Sequence, residues 1–190
     1  MAKKKEKVDH DKNEPWPLFL LKAFIALSTV LAIGMYGSDR YHIGIDDQVS
    51  KCLPPYTFFL IDRYDKDVKK WDLAAFHAER IQPMLESGRD EIKPLAPRYE
   101  NGKILIKQIV GVEGDVVEVN HDHVLVNGKI VGNKLLLAKA LNRDPLSFQK
   151  TITIPKGAFW FMGKTDNSFD SRYWGFVYEH QIIGRVKPIY

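Results

Sequence analysis

Ile104-Leu-Ile-Lys-Gln-Ile-Val-Gly-Val112 is an apolar run rich in β-branched residues, broken once by Lys107. Side chains that branch at Cβ suit a pleated strand better than a helix. In a strand, Lys107 shares a face with Leu105 and Ile109, while Ile104, Ile106, Gln108 and Val110 take the other. Two readings of the lysine follow. Between apolar neighbours it loses hydration, its pKa falls from about 10.4, and the neutral amine serves as a general base. On an edge strand it keeps its head in water and guards the edge against stray pairing. Periodicity by itself favours the edge lysine.

Outward from this run, β patterns dominate. Val116–Val119 and Val124–Val126 flank a His121-Asp-His123 turn, and Asn127-Gly128 turns the chain into Ile130-Val131, a frequent hairpin signal. Thr151–Ile154 and Ala158–Met162 are bounded by Pro155-Lys-Gly157. Tyr56–Ile61, the weaker Leu73–Phe76 and Ile182–Val186 complete the set. Short strands joined by such turns predict a mainly β, antiparallel domain. His77–Arg98 and Leu135–Gln149 read as charged insertions, partly helical. His121, Asp122 and His123 lack a third spaced ligand and read as a solvated turn. Asp46 and Asp47 also read as solvated, and Phe159, Trp160 and Phe161 as core.

The 190 residues are 45% hydrophobic and 27% charged, with net charge +4 and one cysteine, Cys52. That is room for one compact domain with a real core. No basic stripe interleaved with aromatics marks a nucleic-acid surface. One cysteine makes neither an internal disulfide nor a zinc set, so no metal or other cofactor is expected. Residues 1–15 are polar and read as a disordered tail. Residues 16–37 carry one charge, Lys22, and as a helix are long enough to cross the roughly 30 Å hydrocarbon layer. Trp16 and Tyr36 suit the two interfaces, and the lysines crowding the front leave the tail in the cytoplasm and residues 38–190 outside. A cleaved secretory signal or a core helix are the alternatives.

Two further segments carry chemistry. Ser50-Lys-Cys-Leu-Pro-Pro55 precedes the Tyr56 strand. Gly163-Lys-Thr-Asp-Asn-Ser-Phe-Asp-Ser-Arg-Tyr-Trp-Gly175 is a polar loop that ends in aromatics. Asp170 and Arg172 are spaced to pair, and the Ser168 hydroxyl can hold an amine in place. An ordinary Asx-type turn accounts for the same pattern without chemistry.

Asp166-Asn-Ser-Phe-Asp-Ser-Arg-Tyr-Trp-Gly175 resembles the signature of the type I signal peptidases, the S26 serine-protease family. Ile106-Lys-Gln-Ile-Val-Gly-Val-Glu-Gly-Asp115 is similar to that family's lysine box, and Asp67-Val-Lys-Lys-Trp-Asp-Leu-Ala-Ala-Phe76 to its strand box. The boxes follow the family order behind one anchor, and the likeness runs from Ser50 to Tyr190 apart from the insertions. It implies a dyad with Lys107 as general base, Ser168 orienting that lysine, and Asp170 and Arg172 as a structural ion pair. Cys52 stands where the family has its nucleophilic serine. Ser50 stands where a hydroxyl helps form the oxyanion hole. Cys52-Leu-Pro54 is also similar to the conjugation-type peptidases that process pilins. Gln108 and Lys164 replace an arginine and an aspartate that pair in the family, so that ion pair is missing.

A thiol titrates near 8.5 and an amine near 10.4. A Cys–Lys pair can therefore rest as thiolate and ammonium, against the desolvation cost of burying two charges. Ser50 as nucleophile, with Cys52 as packing, and a degenerate, inactive protease are both open. The resemblance implies a protease of the inner membrane with a periplasmic catalytic domain. Its partners would be membrane lipid and exported pre-proteins, propilins of a conjugation or secretion system among them. The substrate would add as a strand beside the site. Phe58, Phe59 and Phe76 are expected to form an exposed apolar face toward the bilayer. A membrane-anchored assembly factor that keeps the fold without catalysis is the alternative from another class.

Overall fold

The structure is a computed structural model and describes residues 15–46, 51–79 and 103–189. The polar tail before Pro15, Asp47, Ser50 and most of the His77–Arg98 insertion lie outside the described residues. Helix α1 spans Trp16–Arg40, past the expected end at Gly37. At 1.5 Å per residue it is roughly 37 Å long. Its length and composition suffice to cross a membrane, and none of its residues is buried. The chain as far as Asp39 and the remainder from Arg40 are two separate units.

From Arg40 onward the chain is built from antiparallel strands. They are β1 (Tyr41–Ile45), β2 (Phe58–Asp62), β3 (Leu73–His77), β4 (Ile104–Gly111), β5 (Val116–Val119), β6 (His123–Val126), β7 (Lys129–Asn133), β8 (Lys150–Thr153), β9 (Ala158–Met162), β10 (Val177–Tyr178) and β11 (Ile182–Pro188). One sheet runs β1-β2-β11-β3-β4-β9-β10 and the other β7-β6-β5-β8. A short helical turn, α2 (Ser171–Trp174), follows β9. The antiparallel β domain expected from the turn pattern is therefore the observed one. β1 and β10 are strands that the sequence pattern did not reveal. The β6–β7 hairpin turns on Asn127 and Gly128, both at positive φ (50° and 75°), the two left-handed positions that a type I′ turn demands.

The core has three centres. Val117, Val119, Val124 and Val126 of the small sheet pack against Trp160 and Met162 of β9. Phe76, Ile109 and Phe161 meet elsewhere on the large sheet. Leu53, Phe59, Ile61 and Val186 form the third. Burying one such side chain stabilises by about 1.5–3 kcal/mol before chain entropy is charged against it.

Two expectations fail here. Phe59 and Phe76 are 1% and 0% exposed and belong to core clusters, so they form no outward face; Phe58 alone of the three is exposed. Strand alternation is the reason, since Phe58 and Phe59 point to opposite sides of β2. Leu135–Gln149 is no mere charged insertion, because Leu135, Ala138, Leu141 and Phe148 close the first core cluster. Their apolar side chains recur among charged ones; Phe148 is carried by a short 3-10 helix, Pro145–Phe148, capped by Asp144, which matches the partly helical expectation.

Candidate active site

Lys107 is set by β4. This strand lies between β3 and β9, not at an edge. Lys107 pairs with Ala74 of β3, one residue beyond the last β4–β9 pairing, Gln108 with Met162. Its side chain is 3% exposed. The edge-guard reading is therefore overturned: β4 is an interior strand, and Lys107, paired with Ala74 on one side, is buried where an edge lysine would keep its water.

Cys52 sits in the loop that leads to β2 and is 7% exposed. The loop is tied down on both sides. Leu53 is buried with Phe59 and Ile61. The Cys52 carbonyl accepts the Lys164 N–H at 2.8 Å, and the Lys51 carbonyl accepts the Thr165 hydroxyl at 3.4 Å. Lys51 Nζ donates to Thr57 Oγ1 and to the Pro55 carbonyl. The thiol position is thus fixed by backbone contacts with the loop after β9.

Cys52 and Lys107 line one cleft of about 300 Å³. Its walls are mixed: Ile43, Ile45, Leu53, Ile104 and Ile106 supply apolar side chains, and His42 and Asp46 are its other titratable lining groups among the described residues. Asp46 is half-buried against this cleft and is not the solvated aspartate expected. β1 supplies a wall that sequence reading missed; the alternation of Tyr41, Ile43 and Ile45 was the available signal.

Ser168 is fully buried, and its Oγ has no hydrogen-bond partner among the described residues. It packs on Gly163, where a Cβ would lie 2.2 Å from Ser168 Oγ and 3.1 Å from the Cys52 carbonyl. Only a glycine lets the serine and the cysteine loop approach so closely. Ser50 lies outside the described residues.

Asp170 and Arg172 form a buried bidentate pair, with Arg172 Nε to Asp170 Oδ1 at 2.8 Å and a second amine to Oδ2 at 2.9 Å. Asp170 also caps α2 and accepts the Gly163 N–H at 3.1 Å. Arg172 donates further to the carbonyls of Asn133, Lys134, Thr165 and Ser168. Burial works against its charge, but the Asp170 carboxylate outweighs that and holds the guanidinium above its ordinary pKa. One ion pair thereby pins the loop that carries Gly163, Lys164 and Ser168. Tyr173 accepts the Leu137 N–H at 3.1 Å. Gln108, in place of an arginine, donates to the Trp71 carbonyl at 2.9 Å. His121 and Asp122 pair with each other at the surface, and no cluster of metal-ligating side chains occurs among the described residues.

The arrangement sets the Cys52 thiol and the buried Lys107 on one cleft. Comparison with known proteins agrees with the sequence boxes. Residues 18–190 match the family described as signal peptidase, peptidase S26. A thylakoidal processing peptidase of Arabidopsis thaliana is 34% identical over 46% of this chain and 24% of its own. A signal peptidase I of Bacillus caldolyticus is 23% identical over 98% of this chain and 92% of its own. The chain spans only 24% to 38% of the first relatives it matches. A solved signal peptidase I from Enterococcus faecalis aligns with TM-score 0.38 and 24% identity over 64% of this chain and 97% of that one.

Proposed function

Since the chain belongs to the peptidase S26 family of signal peptidases, we propose that it is a membrane-anchored endopeptidase that removes the signal or leader segment of exported proteins. One observation carries the reading: Cys52 and the buried Lys107 line the same apolar cleft. In the proposed reaction the neutral Lys107 amine takes the thiol proton. The sulfur attacks the scissile carbonyl, and a C–S bond forms. The C–N bond then breaks as Lys107 returns the proton to the leaving amine. Water, deprotonated by the same amine, hydrolyses the thioester and frees the thiol. The Cys52 backbone N–H and the Ser50 hydroxyl are the proposed oxyanion donors. Ser168 is the proposed support of the lysine, and Asp170 with Arg172 the proposed brace of the loop.

The apolar walls suit an extended apolar segment laid along the cleft. The proposed substrates are exported pre-proteins, and the short Cys52-Leu-Pro54 spacing, similar to the Ser-x-Pro form of the conjugation-type peptidases, favours pilin-type subunits of a conjugation or secretion system. Helix α1 is the proposed anchor, with the β domain on the outer face of the inner membrane.

The test is cleavage of a candidate pre-protein by purified full-length variants. Cys52→Ala and Lys107→Ala should each lower kcat/KM by about a thousandfold or more. Cys52→Ser should retain measurable cleavage, since the lysine base remains. Wild-type rates from Cys52→Ala would refute the assignment. Loss confined to Ser50→Ala would move the nucleophile there.

A further inference from the structure

We propose that a groove between β7 and the loop after β9 binds the part of the substrate that follows the cut, and that Lys164 selects an acidic side chain there. The inference rests on the peptidase reading for the identity of the occupant. The groove encloses about 240 Å³ and is lined by residues 130–133 of β7, by residues 162–166 and by Arg172. It shares no lining residue with the cleft that holds Cys52 and Lys107.

Register puts the two cavities in sequence. Along β4 the cleft takes in Ile104 to Lys107. The next residue, Gln108, pairs with Met162 in the wall of the groove. Met162 leads straight into Gly163 and Lys164, and the Lys164 N–H donates to the Cys52 carbonyl at 2.8 Å. Cleft and groove therefore follow one another along β4, with Lys107 at the junction. A leader laid against Ile104 and Ile106 passes Cys52, and the chain beyond the cut runs on toward the groove.

Charge sets the selectivity. Three ionisable groups line the groove: Lys164, Asp166 and Arg172. Arg172 is engaged by Asp170 and by four carbonyls. Asp166 lies in the field of that buried guanidinium and helps to keep it charged. Lys164 is exposed and makes no ion pair among the described residues. Gln108 does not hold it, since the Gln108 amide donates to the Trp71 carbonyl at 2.9 Å. Lys164 thus presents an uncommitted ammonium on a flexible stem, next to backbone that touches Cys52. An extended chain advances about 3.3 Å per residue, so this ammonium reaches side chains within about three residues of the cut. A carboxylate there is attracted and a second cation is repelled.

The test uses detergent-solubilised full-length protein and two synthetic peptides. Both carry the leader Leu-Leu-Leu-Leu-Ala-Leu-Ala; one continues as Ala-Glu-Glu-Ser and the other as Ala-Lys-Lys-Ser. Wild type should cleave the Glu peptide with a kcat/KM about fivefold above that of the Lys peptide, through KM. The ratio should shrink toward unity in about 0.5 M NaCl. Lys164→Ala should bring it near unity and Lys164→Glu should invert it. Each ratio is internal to one variant, so a general loss of rate does not disturb it. The same ranking is read without turnover, as the Kd of fluorescein-labelled peptides for Cys52→Ala protein. Equal Kd and equal kcat/KM for the two peptides, or a Glu preference that survives Lys164→Glu, would overturn the inference and leave the peptidase reading in place. A Glu preference in Kd without cleavage by wild type would uphold the groove and overturn the peptidase reading.

Discussion

At the scale of single residues, Arg172 concentrates the most consequence. It is 1% exposed and donates to Asp170 and to four backbone carbonyls. Removing one partner of a buried pair leaves an uncompensated charge, which costs about 3–5 kcal/mol. Arg172→Met should therefore destabilise the β domain by that amount in urea denaturation. Arg172→Lys should also fall short, since an ammonium cannot reproduce the planar fork. Trp71 is a quieter case. It is a non-glycine residue at φ 78° and is 55% exposed, in a region that L side chains enter at a cost of about 1–2 kcal/mol. Trp71→Gly should hold or raise the melting temperature, whereas the β-branched Trp71→Val should lower it.

At the scale of elements, the sheet explains why the amine is dry. β4 is flanked by β3 and β9, and β3 is in turn joined to β2 by β11. The β3–β11 register shifts between Ile182 and Gly184. A Cβ at Gly184 would lie 2.0 Å from the Asp62 carbonyl oxygen. That oxygen is backbone and cannot swing aside, so Gly184→Ala must spread β2 from β11. The expected cost is about 2 kcal/mol or more, read as a lowered urea midpoint with an unchanged slope. Because β2 and the Cys52 loop are continuous, the same variant should also lose the proposed peptidase activity.

At the scale of the whole molecule, acid sensitivity follows from Asp115. Burial acts to raise its pKa, but Lys70 at 2.8 Å, the Val112 N–H and the Asn127 amide outweigh that and hold the carboxyl below its ordinary value. A carboxyl lowered in the folded state contributes stability that is complete above the unfolded pKa of about 3.9. The contribution is lost as pH falls through the folded value. Thermal melts should thus weaken below about pH 4 in wild type and show a flatter acid limb in Asp115→Asn. Membrane attachment is checked on the same scale. The full chain should stay with membranes in alkaline carbonate, and a chain starting after Gly37 should be released.

Much of this architecture was readable locally. β-branched runs and the Asn127-Gly128 turn depend on neighbours in sequence, so strands and turns could be named from the chain alone, whereas Cys52, Lys107, Ser168, Asp170 and Arg172 were candidates through the resemblance of their boxes to the family. What the chain alone left open was decided by partners far away in sequence. Alternation cannot tell whether a strand is flanked on one side or two, so it favoured an edge for Lys107 that β3 and β9 cover. Nor could it show that β1 walls the cleft, that Phe59 and Phe76 turn inward, or that Leu135–Phe148 seals a core. Burial is a property of the whole packing: it is set by which surfaces come to face each other, and a sequence window contains only one of the two.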